Sequence, residues 1–110
     1  MSWSLHITRT AERDLISAAD YIEFVLLNPQ AAGDLLDEAE REIRALADFP
    51  ERCALVEDPV LKAWGIRLLS VKNYLVFYVI GEESHTVHVV RFLYAKRNWI
   101  PLLRKGVSIE

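Results

Sequence analysis

The side chains best able to grip a charged partner lie close together near the C-terminal end of the sequence. Lys96-Arg97-Asn98-Trp99 sets two cations beside an aromatic ring. Such a cluster can contact a protein, stack on a base, or pack cation on ring. Trp99 can equally tuck into the edge of a core, leaving solvated charges behind. Two more arginines stand alone among apolar neighbours, Arg67 and Arg91. Arg67 alternates with Ile66 and Leu68, so on a strand it points away from them, toward solvent or toward a target. Arg91 is a target contact or the partner of a helix carboxylate. His88 sits in an apolar run, where a hydrogen-bonded histidine is commoner than a general base. His6 and His85 offer less. Tyr74, Phe77 and Tyr78 are core candidates. Cys53 is a lone thiol that can form no internal disulfide, and no Cys or His stands near another at metal-ligand spacing. The residues therefore imply no metal and no cofactor.

Those side chains need a scaffold, and hydrophobic periodicity supplies one. Trp3, Leu5 and Ile7 alternate with Ser4, His6 and Thr8, the pattern of a half-buried strand. Thr8 or Thr10 can cap a helix, and Ala11, Leu15, Ala18, Ile22 and Leu26 extend an apolar stripe to about residue 27. Asn28-Pro29 ends that helix and starts a second, with Asn28 as cap and Pro29 at the first helical position. Its stripe runs through Ala32, Leu35, Leu36, Ala39, Ile43 and Leu46. Outside it, Asp37 and Glu40 precede Arg41 and Arg44 by four residues, the favoured spacing for helix ion pairs. Small residues (Ala18, Ala19, Ala31, Ala32, Gly33) let the two helices close into an antiparallel hairpin. Phe49-Pro50 stops the second helix, and residues 50–63 read as a loop with room for a helical turn.

Three strands follow: Gly65–Val71, Tyr74–Ile80 and Thr86–Tyr94, with turns at Lys72-Asn73 and Gly81-Glu82-Glu83-Ser84. The run YLVFYVI is apolar almost throughout, as a central strand covered on both faces would be. The expected fold class is α+β, ordered β-α-α-β-β-β. A helical hairpin packs on one face of a small, mainly antiparallel four-stranded sheet. All 110 residues fit one domain.

Bulk properties narrow the function. A hydrophobic content of 52% argues against disorder. No run approaches the roughly 20 apolar residues of a membrane span, and no signal-peptide pattern opens the chain, so a cytoplasmic location is expected. The net charge of −3 argues against indiscriminate polyanion binding. It conceals a polarity: residues 1–63 carry 6 Lys/Arg against 13 Asp/Glu, and residues 64–110 carry 7 against 3. The C-terminal part is the cationic end.

The stretch GIRLLSVKNYLVFYVI, followed by VHVVRFLYAKRNW, resembles the RelE/ParE toxin superfamily of type II toxin–antitoxin (plasmid stabilisation) systems. The shared features are Arg67 in the second strand, Asn73-Tyr74 leading into an apolar strand that holds Phe77-Tyr78, and Arg91 leading into Lys96-Arg97-Asn98-Trp99. The resemblance implies a growth-inhibiting toxin neutralised by a cognate antitoxin, in a hetero-oligomer with it. RelE-like members cleave mRNA on the ribosome with Lys, Arg and Tyr side chains around the scissile phosphate. Here the matching set would be Arg67 and Arg97 on the phosphate, with Tyr94 or His88 handling protons. It is incomplete: Leu75 stands where an arginine is expected after Tyr74, and only Lys72 adds a cation between Arg67 and Tyr74.

The resemblance therefore favours the ParE branch, whose members block DNA gyrase by binding. Tyr94-Ala95-Lys96-Arg97-Asn98 looks like the ParE-type His-Gly-Arg-Arg-Asp ending, with Tyr and Ala in place of His and Gly. On that view Arg67, Arg91, Lys96, Arg97 and Trp99 contact the target. The antitoxin would lie along the groove between hairpin and sheet, with Trp3 a candidate contact. A ribosome-dependent endoribonuclease and a non-toxic module that still binds antitoxin are the two alternatives.

Overall fold

The computed structural model describes residues 2–110. Strand β1 (Ser4–Ile7) leads into helix α1 (Arg9–Asp20), whose first turn is capped by Thr8: its hydroxyl accepts from the Ala11 N–H at 3.2 Å. Past Asp20 the chain widens into one π-helical turn, Tyr21–Val25, so the apolar stripe does not stay α-helical to residue 27. Leu27 then adopts φ +54°, and the Asn28 N–H returns to the Ile22 carbonyl at 3.0 Å. A left-handed residue closing a helix is ordinarily glycine, because a Cβ there crowds the carbonyl by about 1–2 kcal/mol. Asn28 accepts from the Ala31 N–H at 3.1 Å, and Pro29 opens helix α2 (Pro29–Ala45). The hairpin thus forms where the Asn-Pro pair places it. On its outer face Glu40 pairs with Arg44 at 2.7 Å, whereas Arg41 takes Glu38 one turn back instead of Asp37.

Strands β2 (Arg67–Val71), β3 (Tyr74–Gly81) and β4 (Thr86–Tyr94) form an antiparallel meander, and β1 joins β4 in parallel, giving the order β1-β4-β3-β2. The central pair is β3 and β4. Leu35, Ala39 and Ile43 of α2 and Leu46 at its C-cap, with Ala11 and Ala18 of α1, bury against Leu69, Val76, Tyr78, Val87, Val89 and Phe92. The opposite face is covered too. Residues 59–63 form a short helix α3 (Pro59–Ala63), capped by Asp58, and the basic tail folds into helix α4 (Trp99–Arg104). Leu61, Ile66 and Leu103 close a second core there over Phe77, Val90 and Leu93. Arg104 ties α4 to α3 through both carboxylate oxygens of Asp58, at 2.6 and 3.1 Å. The Arg104 guanidinium holds the Asp58 carboxyl below the usual carboxylate range. The molecule therefore has three layers, one more than the pattern implied, and this second cover is why YLVFYVI is apolar on both sides.

One irregularity sets the geometry of the C-terminal end. Phe77 stands opposite Arg91 and Tyr78 opposite Val89, so Val90 is an extra residue, a β-bulge. Val87 and Val89 face the hairpin, and strict alternation would send Phe92 and Tyr94 to the other side. Beyond the bulge Phe92 lies in the hairpin core, and Tyr94 follows it.

Candidate binding site

The four arginine and lysine positions singled out from the sequence divide into engaged and unengaged. Arg91 is engaged: Nε donates to Asp14 Oδ2 at 2.6 Å and Nη2 to Oδ1 at 3.1 Å. Asp14 also accepts from the Phe92 N–H at 3.1 Å, next to the bulge. Both side chains are mostly covered, at 17% and 15% exposure, so the pair is a strut between α1 and β4. Arg67 is engaged as well. Its Nη1 donates to the Cys53 carbonyl at 2.6 Å, and its strand partner Tyr78 donates its hydroxyl to the Pro50 carbonyl at 2.6 Å. Together they staple residues 50–53 to the sheet. Burial and the neighbouring Cys53 push the Tyr78 phenol far above its ordinary range, so it stays a neutral donor.

Lys96 and Arg97 are different. Both are exposed, and neither makes an ion pair among the described residues. They follow β4 in a turn closed by the Arg97 N–H on the Tyr94 carbonyl at 3.0 Å, and the Ala95 N–H bonds the Asn73 carbonyl at 2.9 Å. That bond holds the Lys72-Asn73 turn beside them, where Lys72 has φ +53°. Trp99 does not join the cations at the surface. Its ring lies 5.0 Å from Phe77 and packs against the second core, anchoring α4.

Beside the cations opens a cleft of about 670 Å³ between the end of the hairpin and the end of the sheet. Tyr21, Ile22 and Leu26 form one wall, and Asn73, Tyr74 and Tyr94 the other. Tyr74 and Tyr94 meet edge to face at 5.6 Å, and Tyr74 stacks on Phe92 at 5.0 Å. Burial, then the nearby phenol of Tyr94, raises the pKa of Tyr74. Past the two tyrosines a smaller hollow continues to Arg97, Ser17 and Asp14. Periodicity could not find this cleft, because the bulge and the π turn that shape it both break the periods being counted. The consecutive valines before Arg91 were the available sign of the bulge.

The proposed proton-handling residues are not gathered in one place. Tyr94 and Arg97 share the hollow. Arg67 lies level with Tyr78, four strand positions from Val71, which is level with Tyr74 and Tyr94. At about 3.3 Å per residue that is roughly 13 Å along the sheet. His88 is at the far end of β4, where its Nδ1 is 2.8 Å from His6 Nδ1. Burial, then the His6 charge, lowers the pKa of His88. Trp3 is at that far end too, stacked on His85 with centroids 3.8 Å apart. No cluster of three metal-ligating side chains occurs among the described residues.

A second groove runs along the β1 edge, about 440 Å³, lined by Leu5, Ile7, Leu15, Leu36 and Ile43. The Ser4 and Thr8 N–H groups bond to His85 and Val89 of the β4 side, so Leu5 and Ile7 turn their backbone groups outward.

The sequence profile of the ParE toxin of type II toxin–antitoxin systems, parDE, matches residues 5–99. The chain belongs to the ParE toxin family. No curated protein matches it by sequence. Among solved structures, this ParE-family fold is similar to a chain of the chromosomal ParDE system from P. aeruginosa, with a TM-score of 0.69 and 20% identity over 86% of this chain and 98% of that one. It is similar to a chain of the toxin–antitoxin complex RelBE2 from Mycobacterium tuberculosis, with a TM-score of 0.59 and 22% identity over 86% and 99%. A mutant of E. coli toxin RelE in the free state superposes with a TM-score of 0.59 and 12% identity, over 93% of each chain. These likenesses establish the architecture common to the RelE/ParE superfamily.

Proposed function

We propose that this ParE-family toxin arrests growth by binding a large target, DNA gyrase, through the cationic end of its sheet, and that a cognate antitoxin silences it. The observation that carries this reading is the contrast among its cations. Arg67 and Arg91 are consumed by structure, while Lys96 and Arg97 stand exposed on the rim of an aromatic cleft. Non-enzymatic action is supported by the spacing of the candidate catalytic groups. Phosphodiester cleavage needs base, acid and cations around one phosphate, and Arg67 and His88 lie well away from Tyr94 and Arg97.

Supercoiling by purified gyrase, titrated with the protein, tests the target. Inhibition is expected, and the Lys96→Ala/Arg97→Ala variant should relieve it at least tenfold. An unaffected gyrase across the range would defeat the proposal. Codon-phased mRNA ends after induction, lost in Arg67→Ala and Arg97→Ala, would replace it with a ribosome-dependent endoribonuclease. Harmless expression in a host whose gyrase resembles the native one would leave a non-toxic binding module.

For the antitoxin, the β1-edge groove is the candidate receptor: an apolar trough beside an open strand edge suits a segment that adds as a helix or a strand. Trp3 does not line this groove and is already stacked on His85, so nothing in its position favours it as a contact. A partner binding only the folded toxin at a hundred times its Kd adds about 2.7 kcal/mol. A saturating antitoxin that left the melting temperature unchanged would contradict this.

A further inference from the structure

We infer that the cleft between the hairpin tip and the Tyr74–Tyr94 wall receives an amphipathic, acidic segment of a partner protein, its apolar side chains in the cleft and its carboxylates on Lys72, Lys96 and Arg97. The inference rests on the reading of this end as the target-binding end and specifies what part of a target it grips. Its two lips have opposite chemistry. The hairpin lip is apolar: Phe24, Val25, Leu26 and Leu27 are 56–79% exposed, four large hydrophobic side chains in a row. A contiguous patch of this kind marks an interaction surface, whereas scattered exposed leucines do not.

The sheet lip is cationic. Arg97 lines the hollow that continues the cleft, Lys96 precedes it, and Lys72 precedes the lining residue Asn73. No nearby acid cancels this charge. Asp14 is taken by Arg91, and Asp20 and Glu23 line the groove on the outer side of the hairpin with Pro29 and Leu36. Each lip also carries one non-glycine residue held left-handed, Leu27 and Lys72.

The same features favour protein over nucleic acid as the occupant. A polynucleotide would satisfy the cations and leave the apolar lip bare. Tyr74 already stacks on Phe92 and meets Tyr94 edge to face, which leaves Tyr94 as a single exposed ring where a strand of bases would need several. A helix with apolar residues at i and i+4 and carboxylates along one flank satisfies both lips at once.

The test uses fluorescence polarisation with the whole chain and three labelled probes. These are an amphipathic helical peptide of Leu, Phe and Glu, the same peptide with every Glu replaced by Lys, and an oligo-dT strand. The acidic peptide should bind saturably and the basic one should not. Lys96→Glu/Arg97→Glu should weaken the acidic peptide more than tenfold and gain affinity for the basic one, a rescue that a misfolded variant could not show. Phe24→Ser/Leu26→Ser should weaken both pairings. Oligo-dT competing for the same site would overturn the inference, as would peptide binding indifferent to either lip. Concentration-dependent dimers abolished by Phe24→Ser would overturn it in favour of a second copy. The gyrase assay separates the two levels. If inhibition needs Lys96 and Arg97 but survives Phe24→Ser/Leu26→Ser, the inference falls and the proposed function stands. If inhibition survives all four changes, the cationic end is not the weapon at all.

Discussion

Where β4 begins, the aromatic and polar side chains have found partners: Trp3 lies on His85, and His6 meets His88. Where β4 ends, the chain turns out two unpaired cations, an open cleft and a row of bare hydrophobic side chains. The two ends belong to one strand of nine residues, so neither propensity nor layer separates them. What separates them is whether neighbouring elements close over the end. At the first end the parallel strand β1 lies alongside, and at the second the hairpin stops short in a π turn. A small fold can thus keep its interior satisfied and still concentrate its unsatisfied groups at one place.

The largest effect should come from the strut that joins the two regions. Asp14→Ala strands the mostly covered Arg91 charge and leaves the Phe92 N–H without its acceptor. Removing one partner of such a pair costs about 3 kcal/mol. Urea unfolding would show it as a lowered midpoint, and Asp14→Leu/Arg91→Met should recover part of the loss. A change below 0.5 kcal/mol, as an exposed pair gives, would mean that the ends are not coupled through this strut.

Next is Tyr78→Phe, which removes a buried bond to the Pro50 carbonyl and should cost about 1–2 kcal/mol. It should also loosen residues 50–53 to hydrogen exchange while leaving the target end untouched.

Leu27→Gly sharpens the comparison with a change of opposite sign. Relief of the left-handed Cβ should raise stability by about 0.5–1 kcal/mol, yet binding at the cleft should weaken as the apolar lip shrinks. Stabilisation with undiminished binding would show that the strain serves only the turn.

The smallest effect belongs to the histidine end. His88 has a lowered pKa in the fold, so the unfolded chain takes up its proton first. Its contribution is complete above the unfolded value near 6.5 and fades as pH falls below it. Melting temperature should dip slightly between pH 7 and 5, and His88→Gln should flatten that dip.

Much of the scaffold was legible because it follows from local rules. Asn28-Pro29 marks a helix start regardless of context, and the limits of β4 fall where Thr86 and Tyr94 place them. The α3–α4 layer was less visible, since helices of five and six residues contain too few turns to display a period. Of the site, Lys96 and Arg97 could be picked out by charge, but the sorting of the other candidates could not. Arg67 and Arg91 look alike in the sequence, and their partners are distant: Cys53 lies 14 residues away and Asp14 lies 77. Trp99 was open between surface and core until the position of Phe77 was known.

The extra residue at Val90 works as a phase shifter between core and cleft. Upstream of it the odd-numbered positions of β4 build the hairpin side, and downstream the even-numbered ones do. Deleting that single valine would leave Arg91 opposite Phe77 and Val89 opposite Tyr78, so Tyr94 would keep its side of the sheet. What such a deletion removes is Val90 itself, a buried side chain of the second core, so its expected cost falls on the α3–α4 layer and not on the side to which the cleft tyrosines point.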